Sequence, residues 1–166
     1  DDDTGIVTCL KINNLGTHLS RVDSRYGAVG IENNYSVGAK WSDVKLFGAI
    51  YGVNHVYDAA TPFGTELNSV ATENLFENIQ VATSKTNTAS VGWNQDATCQ
   101  YANNHHGGSF DCEQCYTGAK FEGRIASKDH DGIQVYGSSA FQSVGNSIDG
   151  AWFEVNTGQN LVLSYD

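Results

Sequence analysis

Apolar residues along the chain fall into short runs broken by Gly, Asn, Ser and Thr. Gly5 to Ile12 is β-branched and ends at Asn13-Asn14, which predicts a strand. Gly27 to Glu32 and Ser36 to Trp41 read as two more strands about the turn Asn33-Asn34-Tyr35. Val44 to Val53 is almost continuously apolar, as expected of a central strand. Two stretches carry a different period. Leu67, Val70, Ala71, Leu75 and Ile79 step by one to four, and Phe141, Val144, Ile148 and Trp152 by three or four. Such stripes predict two amphipathic helices. Each is followed by a strand–turn–strand pattern: Gln80–Ser84 with Ala89–Trp93, and Trp152–Val155 with Leu161–Tyr165.

The two halves echo one another. Gly38-Ala39-Lys40-Trp41 is matched by Gly118-Ala119-Lys120-Phe121, and Val56-Tyr57 by Val135-Tyr136. The expected fold is therefore α+β: an antiparallel β-sheet with two helices packed on one face, and a pseudo-two-fold duplication of halves 1–95 and 96–166 within one domain. An all-β sandwich is the alternative.

Composition places the chain in an environment. Only 17% of the 166 residues are charged, 18 are glycine, and there is one proline and no methionine. That balance fits a compact, β-rich, secreted extracellular protein. The opening Asp1-Asp2-Asp3-Thr4-Gly5 fits a processed N-terminus, and Asn34-Tyr35-Ser36 is a candidate glycosylation site. The formal charge of −10 rests on nine scattered Lys and Arg, so the cationic footprint of a nucleic-acid partner is missing. No run approaches a membrane span. A monomer with an extracellular protein or glycan target is expected.

Candidate chemistry centres on HHGGSFDCEQC, His105 to Cys115. Acidic neighbours Asp111 and Glu113 disfavour a reactive thiolate in its Cys-x-x-Cys. Zinc would need ligands beyond the pair, from His105 or His106, His130 and Cys99. The favoured reading ties Cys112 and Cys115 by disulfides to Cys9 and Cys99, pinning a polar loop. Asn103, Asn104, His105, His106, Ser109 and Phe110 of that loop are then the candidate binding residues. No hydrolase elbow, phosphate loop, dinucleotide fingerprint or His-Glu-x-x-His occurs, and no cofactor is expected. Asp58, Glu66, Glu73, Glu77, Asp129, Asp131 and Glu154 are the carboxylates from which a glycosidase pair would be drawn.

In general character the chain resembles the small, acidic, cysteine-containing proteins secreted by fungi, including virulence effectors and killer toxins. The resemblance is one of composition and expected topology. It implies action by contact with a host or competitor macromolecule. The alternative is a secreted polysaccharide-active enzyme or carbohydrate-binding lectin.

Overall fold

The computed structural model describes residues 8–13, 16–56, 70–95, 100–102, 104–123, 143–144 and 146–165. Thirteen strands are found among them: β1 Thr8–Asn13, β2 His18–Val37, β3 Lys40–His55, β4 Val70–Thr72, β5 Leu75–Thr83, β6 Val91–Gln95, β7 Gln100–Ala102, β8 His105–Glu113, β9 Thr117–Gly123, β10 Ser143–Val144, β11 Ser147–Ile148, β12 Ala151–Trp152 and β13 Leu161–Tyr165. Every pairing among these strands is parallel. No helix occurs among the described residues. This overturns both the antiparallel sheet with two helices and the antiparallel sandwich.

The chain winds as a coil of stacked rungs, a curled parallel sheet with three ladders. In the first ladder Leu19, Trp41, Phe76, His106 and Ile148 stand in one column, so the chain revisits that position after 22, 35, 30 and 42 residues. Val22, Val44, Ile79, Phe110 and Ala151 form a second column. The second ladder stacks Leu10, Ile31, Val53, Trp93, Ala119 and Leu161. Beside them run Ile12, Asn33, His55, Gln95, Phe121 and Leu163. A short third ladder joins the end of β2 to β4, β7 and β10.

The false helical stripes have a local cause. Arg21, Asp43, Asn78, Gly108 and Gly150 all have positive φ, between 53° and 70°, at the same place in successive rungs. Each adds one residue to its strand that the neighbouring rung matches, so the register there holds from β2 to β5 and shifts between β5 and β8. Inner positions then step by three rather than two, as in Trp41 to Val44 and Phe76 to Ile79. A strand with such a residue mimics the spacing of a helix. Asn and Asp tolerate the left-handed conformation better than other side chains that carry a Cβ.

The corner between the third and first ladders is held by asparagines. Asn74 Oδ1 accepts from Ala39 N at 2.8 Å, and Asn104 Oδ1 from Asn74 N at 3.1 Å. Asn146 Oδ1 accepts from Asn104 N at 3.0 Å. The side-chain amides continue the column, Asn74 Nδ2 donating to Asn104 Oδ1 and Asn104 Nδ2 to Asn146 Oδ1. Backbone groups that would be orphaned at a tight corner are satisfied by the next rung.

Inside, rings from several rungs interlock. Trp41–Phe76, Phe76–Trp93 and His106–Phe110 centroids lie 4.9, 5.0 and 4.8 Å apart. The tetrapeptide part of the echo does not survive this geometry; Tyr57 and Val135-Tyr136 lie outside the described residues. Trp41 belongs to the first ladder and Phe121 to the second, so the two tetrapeptides occupy different places in the coil. A real repeat runs along Gly30, Gly52, Gly92 and Gly118, which stack in the second ladder. A Cβ on Gly92 would lie 2.6 Å from Gly118 O and 2.8 Å from Cys115 Sγ. Gly92→Ala should therefore destabilise the chain by about 1–3 kcal/mol, as overpacked cores do. A urea unfolding midpoint equal to that of the parent would contradict this.

Candidate functional site

The strand HHGGSFDCEQC, expected to be a pinned loop, is β8 and its following corner. Alternation decides where its residues go. Asn104, His106 and Phe110 are buried in the coil. His105 and Ser109 face outward, and Asn103 lies outside the described residues. Three of the five described residues of the candidate binding loop are thus core. His105 and His106 face opposite sides of the strand and do not converge on one ion; His130 lies outside the described residues. His105 Nδ1 is 2.6 Å from Ser147 Oγ and 3.8 Å from Asp149 Oδ2. Serine and carboxylate share one ring nitrogen, so the three do not form a relay of the Ser-His-acid kind.

The cysteines are also placed differently. Cys9 is exposed on β1, whereas Cys112 and Cys115 are buried. Four ladder steps separate β1 from β9, which follows Cys115, and at the strand spacing this is about 19 Å. No disulfide spans that distance, so Cys9 pairs with neither Cys112 nor Cys115 in this fold. Cys99 lies outside the described residues. Burial pushes both buried thiols above their ordinary pKa, with the negative charge of Asp111 adding to it. Asn34 is fully buried, its amide donating to Glu32 Oε1 and Val56 O. The coil has no room for a glycan there.

The outer face of the first ladder is where polar chemistry gathers. Asp23, Lys45, Gln80, Asp111 and Trp152 stand in one outward column. A groove of about 490 Å³ runs beside it, lined by Asp23, Arg25, Lys45, Phe47, Gln80 and Glu113 among others. A second hollow on the same face adds Asp43, Asn78, Ser109 and Asp111, and shares Lys45 and Gln80 with the first. The polar groups hold one another in place. Gln80 Nε2 donates to Glu113 Oε1 at 3.0 Å, and Asn78 Nδ2 to Asp43 Oδ1 at 3.1 Å. Arg25 grips Asp23 through two 2.9 Å bonds and holds its carboxyl below the usual range. Trp152 is 60% exposed, and its indole N–H donates to Glu154 Oε2 at 2.7 Å.

Asp111 differs from the other carboxylates. Its Oδ1 is shielded from solvent and has no hydrogen-bond partner. Burial, and then the charges of Glu113 and Glu154, push its pKa above the ordinary value. A carboxyl of this kind in a cleft holds its proton longer than its neighbours and is suited to donate it. Of the carboxylates expected from sequence, Glu154 is on this face, and Glu77 forms an ion pair with Lys40 at 3.1 Å. Asp58, Glu66, Asp129 and Asp131 lie outside the described residues. Asp111 is not among the carboxylates expected from sequence.

Comparison of the chain with protein-family models, with curated proteins and with solved structures finds no match. No described helix is long and apolar enough to cross a membrane.

Proposed function

We propose that the protein is an extracellular polysaccharide-binding coil that takes a linear glycan along the outer face of the first ladder. The observation that carries this is the outward column Asp23–Lys45–Gln80–Asp111, which ends at exposed Trp152. Hydroxyl-rich ligands need amide and carboxylate partners, and a sugar's apolar face needs an aromatic platform. Rungs rise by about 4.8 Å, close to the length of one pyranose residue, so successive rungs can meet successive sugars. The hollows are lined by four carboxylates, Asp23, Asp43, Asp111 and Glu113, against two cations, Arg25 and Lys45. That balance repels polyanionic glycans and favours neutral or amino-sugar chains.

A toxin or effector reading draws no support from the segment 104–110, where Asn104, His106 and Phe110 are core side chains. Asp111 adds proton donation to the glycan reading. Binding should be tested on an array of linear neutral, acidic and amino-sugar polysaccharides. Trp152→Ala should weaken binding about five- to thirtyfold, since a stacking ring on a sugar contributes on the order of 1–2 kcal/mol. Asp111→Asn should leave binding within a few-fold and remove any release of reducing ends. An array without signal for the parent protein would refute the proposal.

A further inference from the structure

Cys112 and Cys115 meet inside the corner that follows β8, and we infer that they close a disulfide with each other when the chain folds in the presence of glutathione disulfide. In an extended strand, residues three apart point to opposite faces. Here Gln114, with a φ of 55°, turns the chain between them. Both side chains therefore enter the coil, and both are fully buried. Trw-like spacing of this kind recurs at Trp41 and Val44 about Asp43. In the structure both cysteines are free thiols.

The corner holds their main chains close together. Asn156 Nδ2 donates to the Cys112 carbonyl at 3.0 Å, and Asn156 Oδ1 accepts from Cys115 N at 2.8 Å. One amide group thus bridges the carbonyl and the N–H that would bond each other directly in a β-turn. Gln114 N donates to Glu154 O and Thr157 N to Cys115 O, so the next rung fixes the bend. The side chains converge as well. Cys115 Sγ donates to Glu113 O at 3.3 Å, which lays it back along the chain towards Cys112. Both reach one spot beside Gly92, where a Cβ would lie 2.8 Å from Cys115 Sγ and 3.5 Å from Cys112 Cβ. With the backbone already bent, closure needs rotation of the two side chains. Cys9 is too distant to compete.

The bond encloses Glu113 and Gln114, and both line the groove on the outer face. Closing the ring fixes that end of the groove, whatever ligand the groove takes. The oxidising setting is that of the extracellular reading above; the pairing itself rests on the corner's geometry. Closure passes two electrons and two protons from the thiols to one glutathione disulfide, giving two glutathiones and one protein S–S bond. Burial pushes both thiols up and keeps them protonated, so the folded pair exchanges slowly and the bond forms before the corner is packed.

Refolding the reduced 166-residue chain in a glutathione redox buffer, then alkylating it and mapping its peptides, tests the inference. The expected product carries a link from Cys112 to Cys115. Its melting temperature should lie about 5 °C above that of the reduced protein. That difference should persist in Cys9→Ala and vanish in Cys115→Ala. Alkylation of both Cys112 and Cys115 in the refolded parent would overturn the inference. So would a link from either of them to Cys99.

Discussion

Asn104→Ala should lower stability by about 4 kcal/mol, a large share of what a chain of this size has. Asn104 is 1% exposed and central in the corner column. Its Oδ1 accepts from Asn74 N and Asn74 Nδ2, and its Nδ2 donates to Ala71 O at 2.8 Å and Asn146 Oδ1 at 3.1 Å. Alanine leaves the Asn74 N–H and the Ala71 carbonyl without these partners. Each buried group so stranded costs about 1–3 kcal/mol. The melting temperature should fall by about 10 °C. Thr86→Ala, at the exposed tip of the turn after β5, should change it little. A melting temperature within a degree or two of the parent for Asn104→Ala would show that the corner column does not hold the rungs.

Acid should begin to destabilise the protein before its ordinary carboxylates take up protons. His106 is fully buried among Phe76, Trp93, Phe110 and Phe121. Burial lowers its pKa from 6.5 to about 4, against the opposing hydrogen bond with the Ser147 carbonyl, and His105 lowers it further. His55 is depressed well below 6.5 by the same burial and by His106. The unfolded chain therefore takes up protons near pH 6.5 that the folded one refuses. Stability is full above pH 6.5 and falls as pH drops from there towards 4. For His106 alone the loss reaches about 3 kcal/mol, and His55 adds to it. Asp111, with its raised pKa, acts in the opposite direction, but it is only partly buried and its part is smaller. Urea unfolding midpoints should fall steadily between pH 7 and 4.5, and His106→Phe should flatten that slope. Midpoints that stay constant across the window would contradict the buried placement of both histidines.

Much of the strand content was legible in the sequence, while the topology was not. Thr8–Asn13 and Leu161–Tyr165 are strands close to where β-branched and apolar runs place them. The chain also turns between β5 and β6, as Lys85-Thr86-Asn87-Thr88 suggests. What sequence periodicity could not show was that successive strands pair with the rung before, not with their neighbour across the turn. Local pattern is silent about partners, and the irregular spacing of 22 to 42 residues hides the repeat from a search for a fixed period. Asn74, Asn104 and Asn146 look like ordinary loop residues until the corners stack. The left-handed residue at Asn78 gave the end of the 67–79 stripe the spacing of a helix. Of the candidate site, Glu154 was named, and Ser109 was placed in a binding loop rather than at a groove edge. Asp111 went unrecognised because its shift depends on burial and on Glu154, which is distant in sequence.

The stacking of parallel rungs is tested most directly by cross-linking across a predicted pair. Ser42 and Glu77 face outward as register partners on β3 and β5. Cysteines at both positions, Ser42→Cys with Glu77→Cys, should close a disulfide under mild oxidation, found by peptide mapping. Adjacent strands stand about 4.8 Å apart, within the range such a bond spans. Ser42→Cys with Thr86→Cys should stay reduced. Failure of the first pair, or equal closure of both, would contradict the coil; a helix over 67–79 packed on an antiparallel sheet provides no reason for that bond to form.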